Sequence, residues 1–332
     1  MRYFCTYFDA GYLSRGMALY ESLRQHCSEF TLWVLCLDEA TFEQLRRRAL
    51  PNLRPISLSE LETAMKELPT AKMNRSRAEY YFTCSPALPL FLLNSSREID
   101  LITYLDSDLY FFANPEIIFS EIKEGSVAII PHRFSHPSIE LEQHGIYNVG
   151  WVTFRRDESG LACLRWWYER CIEWCYHRVE DGKYADQKYL DLFPKKFSNV
   201  IIIENKGANL APWNLSNYDL RCSHNSCEIN GTPLIFFHFQ GFRQISQISY
   251  ATGLAAYGLR VSHSVLRAIF EPYIQRLLQI TPGGVIEQGL VHRNDDRGSL
   301  VLRFARRLKH FPRMVKEHFN GMRLLFLFGR VI

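Results

Sequence analysis

The chain is 332 residues long, 47 % hydrophobic and 22 % charged. That balance leaves enough apolar side chain for the core of one large or two modest domains and excludes wholesale disorder. A net charge of +4, from 39 Lys and Arg against 35 Asp and Glu, is too small to point to nucleic acid.

Residues 3–8 are short and aromatic-rich and predict a strand. Residues 12–27 carry Leu13, Met17, Tyr20 and Leu23 at helical spacing. A strand over 31–37 closes on Asp38, and 41–48 predicts a helix. This β-α-β-α order opens a parallel α/β sheet. Helices are expected over 61–66 and 79–93, the second kinked near Pro86 and Pro89, with a basic turn at 72–77 between them. Strands follow at 101–105, 127–130 and 148–154. A long helix over 160–179 holds Trp166, Trp167 and Trp174, which either pack in the core or stack on a sugar. A short helix at 186–192, strands at 200–203 and 234–239, and a helix at 261–278 complete the body. The strand-rich part ends near 245. No apolar run reaches the roughly 18 residues of a spanning helix. Arg2 leads at once into the first strand, so no leader is expected and the cytoplasm is the expected location. The nine cysteines show no CxxC pair and read as buried, reduced thiols.

Chemistry concentrates in four short motifs. The apolar strand 101–105 delivers Asp106-Ser107-Asp108 to its C-terminal end, where open α/β sheets bind ligands. Two adjacent carboxylates repel unless a cation lies between them, and oxygen ligands suit Mg²⁺ or Mn²⁺ beside a phosphate. Two aspartates capping a turn are the alternative. A haloacid-dehalogenase-type phosphotransferase would want Thr or Val where Tyr110 stands. His238, ending the strand 234–239, could complete a metal site and would tilt it toward Mn²⁺; a histidine there is otherwise a satisfied core residue. Gly241 permits close approach of a phosphate or simply a turn. Tyr147-Asn148-Val149-Gly150-Trp151 offers a neutral amide for sugar hydroxyls, and Asp186-Gln187 either clasps a sugar or caps a helix.

Taken in order, YLDSD at 104–108, YNVGW at 147–151, DQK at 186–188 and HFQG at 238–241 resemble glycosyltransferase family 8 and its bacterial relatives of the GT-A fold. The resemblance covers roughly residues 2–245. It implies a mixed, mainly parallel sheet flanked by helices; beyond it, residues 246–300 read from their own sequence as a helical C-terminal extension. It further implies that Asp106, Asp108 and His238 bind Mn²⁺ or Mg²⁺ and that the donor is a nucleotide sugar, a UDP-sugar foremost. Asp9 and Tyr12 would hold base and ribose, Thr6 and Tyr7 would line the floor, and Ser107 and Gly241 would lie against the donor. Asn148, Asp186 and Gln187 would face the donor sugar and the reaction centre, with transfer proceeding by retention to a glycan or lipid-linked acceptor. An inverting enzyme with Asp186 as base, and a binding protein without catalysis, are the alternatives.

Three positions depart from the family pattern. Lys188 follows the DQ pair in place of a second aspartate. Phe242-Arg243-Gln244 replaces a Lys-Pro-Trp, so Arg243 is expected at the diphosphate one residue early. Tyr81-Phe82-Thr83 stands where an arginine is usual, and Arg77, Arg75 or Lys72 is the expected substitute. The segment 131–146, with two prolines and several histidines, is the candidate for a loop that excludes water.

Charge is also unevenly placed. Residues 301–332 hold eight basic residues against one acidic, Glu317, for +7, while residues 1–300 hold 31 against 34, for −3. Apolar residues at 301, 304, 308, 311, 315, 319, 322 and 326 recur between the basic ones, interrupted by Pro312. The tail therefore reads as a basic amphipathic helix that lies on an anionic membrane surface or packs on the body.

Overall fold

A computed structural model describes residues 1–223, 226–281, 323–327 and 330–331. Its largest sheet joins β1 (Arg2–Phe8), β2 (Phe30–Cys36), β3 (Leu53–Ser57), β4 (Leu101–Leu105), β6 (Val127–Pro131), β7 (Tyr147–Arg155) and β8 (Val200–Ile202). β5 (Leu109–Phe111) lies outside it. The order is β3-β2-β1-β4-β7-β6-β8. β7 alone runs against the other strands. This is the mixed, mainly parallel α/β sheet expected from the opening β-α-β-α pattern. β3 escaped that reading because Arg54 and Pro55 interrupt its apolar run; it is an edge strand, where a proline costs no ladder bond.

Helices cover both faces. α1 (Leu13–His26) and a later helix, Glu116–Ile122, cover one; Leu19, Leu23 and Phe119 pack there with Phe4, Phe8 and Trp151. On the other face, the helices Arg77–Ser95 and Glu158–Glu173 bury Cys84, Leu88, Leu164 and Trp167 with Cys5, Tyr104 and Phe154. Ser76 and Glu79 form a capping box at the start of the first of these. Pro86 and Pro89 lie within it, their rings buried.

The helix expected over 160–179 ends at Glu173. The chain turns because Asp181 and Gly182 adopt φ of 49° and 71°, closing a bridge between Glu180 and Lys183. An Asp-Gly pair favours such left-handed turns. Trp167 is fully buried, Trp166 packs on Phe193 and Phe197, and the Trp174 indole donates to Glu180 at 3.2 Å. These tryptophans are packing residues of that region.

Beyond residue 202, β9 (Leu220–Cys222) and β10 (Cys227–Ile229) pair, and a Cys222–Cys227 disulfide joins them, which corrects the all-thiol expectation. The other seven cysteines are free and buried. β11 (Thr232–Pro233) continues this small sheet, and β12 (Phe236–His238) pairs with β5. β13 (Arg243–Ser246) spans the boundary expected near 245 and pairs with β14 (Ser249–Ala251). A helical segment over 263–280 packs Phe270 and Tyr273 on Phe239 and Phe242.

The basic tail between 301 and 322 lies outside the described residues. β15 (Arg323–Leu327) is a strand on β14, with Leu324 buried, so the helical spacing does not extend to this end. The strand residues Leu324-Leu325-Phe326-Leu327 are apolar at every position in sequence, which lacks a helix's polar face.

Candidate active site

Parallel strands bring the ends of β1 and β4 to one edge of the sheet, and a cleft of about 580 Å³ opens there. β4 ends in Tyr104-Leu105, and the backbone N–H of Asp106 donates to the Gly150 carbonyl on β7 at 3.2 Å. The chain then turns into β5, whose partner β12 presents His238 opposite Leu109. The Phe239 N–H donates to the Asp108 carbonyl at 2.9 Å. Two strand pairings thus carry the carboxylates and the imidazole to one point.

His238 Nε2 lies 3.0 Å from Asp108 Oδ1 and 3.6 Å from Asp106 Oδ2. One donor atom from each of the three residues falls within 4.8 Å of the others. Burial lifts the Asp106 carboxyl to about 6, with the Asp108 charge adding to the lift against His238. Burial works in the same direction on Asp108, but the charge and hydrogen bond of His238 outweigh it and hold that carboxyl below its usual range. His238 is raised, its own burial outweighed by the two carboxylates. Two carboxylates and a neutral imidazole nitrogen are a donor set for Mn²⁺ or Mg²⁺, and the cleft leaves room for oxygen ligands from a substrate.

Asp186 lines the same cleft. Its backbone is pinned: the Trp167 indole donates to its carbonyl at 2.8 Å, and Ala185 before it holds a left-handed φ of 45°, a conformation that persists only where surroundings enforce it. Burial pushes the Asp186 carboxyl up to about 7, helped by the charge of Asp106 and opposed by a hydrogen bond from Ser85. Gln187 donates to the His144 carbonyl at 3.1 Å. Lys188 reaches the Glu142 carbonyl at 2.7 Å and Asp191 at 2.8 Å, so it ties down the segment 136–144.

The expected site residues divide by position. Tyr7, Asp9, Tyr12, Asp106, Ser107, Asp108, Asn148, Asp186, Gln187 and His238 line the cleft; Thr6, Arg77, Gly241 and Arg243 are not among its lining residues. Thr6 is fully buried, between Phe4 and Phe8 on the strand face opposite Tyr7, because side chains alternate along a strand. Gly241 takes a positive φ of 76° beside the lining residue Gln240. Arg243 is exposed on β13. Arg77 pairs with Asp9, which lines the cleft. Arg75 donates to Thr83 and to the Ile172 carbonyl, and Lys72 pairs with Glu62, so both serve packing between helices.

Several lining residues had been given no role: Tyr104, His132, Phe134, His144, Tyr184 and Trp213. Tyr104 was findable, since it stands two residues before Asp106 and donates to that carboxylate at 3.0 Å. His132 and His144 belong to the histidine-rich segment 131–146, whose 3-10 turn His136–His144 flanks the cleft. Trp213, against His238 at 5.1 Å between ring centres, had no signal.

No family model matches the chain. Among solved structures it is similar to the galactosyltransferase LgtC in complex with donor and acceptor sugar analogues, at 17 % identity and a TM-score of 0.47 over 72 % of this chain and 87 % of that one. It is similar to mouse xyloside xylosyltransferase 1 at 13 % identity and a TM-score of 0.46, over 72 % and 98 % of the two chains. Among curated proteins it is 30 % identical over 278 residues to the uncharacterized protein YfnD of Bacillus subtilis (strain 168), covering 83 % of this chain and 88 % of YfnD. It is 35 % identical over 251 residues to the uncharacterized protein YfnF of the same organism, covering 73 % of this chain and 82 % of YfnF. With that identity over most of both partners' lengths, the chain belongs to the family that YfnF and YfnD represent.

Proposed function

We propose that the chain is a metal-dependent glycosyltransferase of the GT-A type that moves a sugar, with retention, from a nucleotide-diphosphate sugar to a glycan or lipid-linked acceptor. The observation that carries this reading is one cleft lined both by the Asp106, Asp108 and His238 cluster and by the buried Asp186 with Gln187. The ordered motifs that resemble glycosyltransferase family 8 supply the donor class, a UDP-sugar foremost.

Asp106, Asp108 and His238 would hold Mn²⁺ or Mg²⁺. When bound, the ion supplies Lewis-acid stabilisation of the charge that grows on the departing diphosphate. Asp9 and Tyr12, at the C-terminal end of β1, would take base and ribose. The Asp186 carboxylate would face the sugar as positive charge develops at its anomeric carbon, and fixed charge acts strongly in a site closed to water. The Gln187 amide would orient sugar hydroxyls. Phe134, Leu141, His144 and Tyr184 line the cleft and would help to exclude water from a bound donor, which would otherwise be hydrolysed.

The first test is thermal stability in the presence of UDP, GDP or ADP with and without Mn²⁺. At about 100 times the dissociation constant a ligand adds about 2.7 kcal/mol, a rise of several degrees in Tm. One diphosphate is expected to give that rise with Mn²⁺ and to lose it with EDTA. No rise with any of the three counts against the reading.

The tail adds an expected location. Its +7 charge suits an anionic membrane surface, where each Lys or Arg contributes about 1 kcal/mol. Changing Arg303, Arg306, Arg307 and Lys309 together to Gln is expected to cut binding to phosphatidylserine vesicles at low salt at least tenfold. Equal binding by both chains removes the membrane from the reading.

A further inference from the structure

Behind the metal-binding wall lies a chain of side chains whose hydrogen-bond directions can be fixed one after another. Asn148 and Gly150 sit two residues apart on β7, in the stretch where its register with β6 shifts. The Gly150 backbone N–H lies 3.1 Å from Asn148 Oδ1. A backbone N–H only donates, so the atom it meets is the amide oxygen, and the orientation of the Asn148 amide follows without choice.

The remaining bonds then have one direction each. Asn148 Oδ1 also meets His238 Nδ1 at 3.2 Å, so His238 Nδ1 carries a hydrogen. Asn148 Nδ2 lies 3.1 Å from His132 Nε2 and donates to it, so His132 Nε2 is bare. The His132 proton is therefore on Nδ1, which donates to the Ile146 carbonyl at 3.2 Å. The second Nδ2 hydrogen points to Gln187 Oε1 at 3.4 Å, and Gln187 Nε2 in turn donates to the His144 carbonyl at 3.1 Å.

The surroundings hold this arrangement. His132 and Asn148 are 4 % and 5 % exposed. The His132 ring stacks on Phe134 at 4.5 Å and meets the edge of Trp213. Gly150 leaves the space: a Cβ there would stand 2.4 Å from Asn148 Oδ1 and 3.0 Å from His238 Nδ1. The Asn-x-Gly spacing thus has a role in packing His238 that a sugar-binding turn does not require.

We propose that Asn148 and His132 are positioning residues for the metal site: they fix the His238 ring with a proton on Nδ1 and with Nε2 facing Asp106 and Asp108, where Nε2 donates to Asp108 in the metal-free chain and would release that proton to offer its lone pair to an ion, and the same amide sets the orientation of Gln187. This rests on the metal reading of the Asp106, Asp108 and His238 cluster. Partners of this kind commonly tune affinity roughly 10–100-fold when removed. Asn148 is thereby a shared support for His238 and for Gln187, and need not touch the sugar.

The test uses the full chain and Mn²⁺ itself, titrated by calorimetry and by the electron paramagnetic resonance signal of free Mn²⁺. Asn148→Ala is expected to weaken Mn²⁺ binding roughly 10–100-fold. His132→Phe, which keeps the stacked ring and removes the acceptor, is expected to weaken it less. ¹⁵N-histidine spectra of the wild-type chain, with and without diamagnetic Mg²⁺, are expected to show the His132 proton on Nδ1 throughout and that of Mg²⁺-loaded His238 on Nδ1. A wild-type chain that takes up no Mn²⁺ overturns the metal reading and this proposal with it. Wild-type binding together with both variants within threefold of it overturns the positioning role alone. A His132 proton found on Nε2 overturns it in either case, also if Asn148→Ala does not fold.

Discussion

Exchange of Asp106 or Asp108 for Asn is expected to abolish metal-dependent turnover of a nucleotide sugar while the far-ultraviolet circular dichroism stays that of the wild type. The shape of the side chain is kept and its charge is lost. Both carboxylates lie within 3.6 Å of His238 Nε2, so each is expected to be a direct ligand. Removal of Lewis-acid stabilisation worth several kcal/mol corresponds to roughly 10³-fold or more in rate. The side chains retain 29 % and 14 % exposure, so an amide in either place can still find water. Donor hydrolysis and Mn²⁺ titration, each with an EDTA control, measure the effect. Full activity in both variants, with EDTA harmless, removes the metal from the mechanism.

The second large effect concerns Asp186, where activity and stability are expected to move in opposite directions. Its carboxyl is 5 % exposed, and burial raises it from the ordinary 3.8 to about 7. Between those values the folded chain keeps a proton that the unfolded chain has released. Stability therefore falls as pH rises through this window, by at most about 1.4 kcal/mol for each pH unit. Above about 7 the folded group is charged too, and the loss is complete. Asp186→Asn has no charge to bury. In metal-free protein its Tm is expected to match the wild type near pH 4 and to exceed it increasingly up to about pH 7, a few kcal/mol in all. Turnover is expected to fall roughly 10²-fold or more, as when a preorganised group at the reacting centre is lost. A Tm difference independent of pH means that the Asp186 charge is not being paid for by the fold.

Legibility followed the range of the interactions involved. The strand before Asp106 could be read because Leu101, Ile102 and Leu105 are apolar in sequence and a central strand with helices on both faces of the sheet needs that burial. β3 could not, because Pro55 and Arg54 are tolerated only through its place at the sheet edge. The helix read over 160–179 stops at Glu173, where Trp174 takes an extended backbone that the apolar spacing does not show. The pairing of β14 with β15 joins residues more than 70 positions apart, and local spacing across Pro312 says nothing of it. At the site, Asp106, Asp108, Asn148, Asp186, Gln187 and His238 were found as motifs, and the cleft gathers all six. Thr6 and Arg243 were placed by motif distance along the chain, and strand alternation and the turn after Gly241 set them elsewhere.

The linear order of residues was thus enough for the α/β class, for the strand that carries the two carboxylates and for the kind of ion they suit, since these depend on apolar periodicity and on donor chemistry, both local properties. Which amide orients the His238 imidazole and why Gly150 must lack a side chain depend on β4, β5, β7 and β12 meeting at one edge. Hydrogen-bond direction and close approach are set by atoms about 3 Å apart in space; the Asn148–His238 bond joins residues 90 positions apart, a separation at which no spacing rule operates.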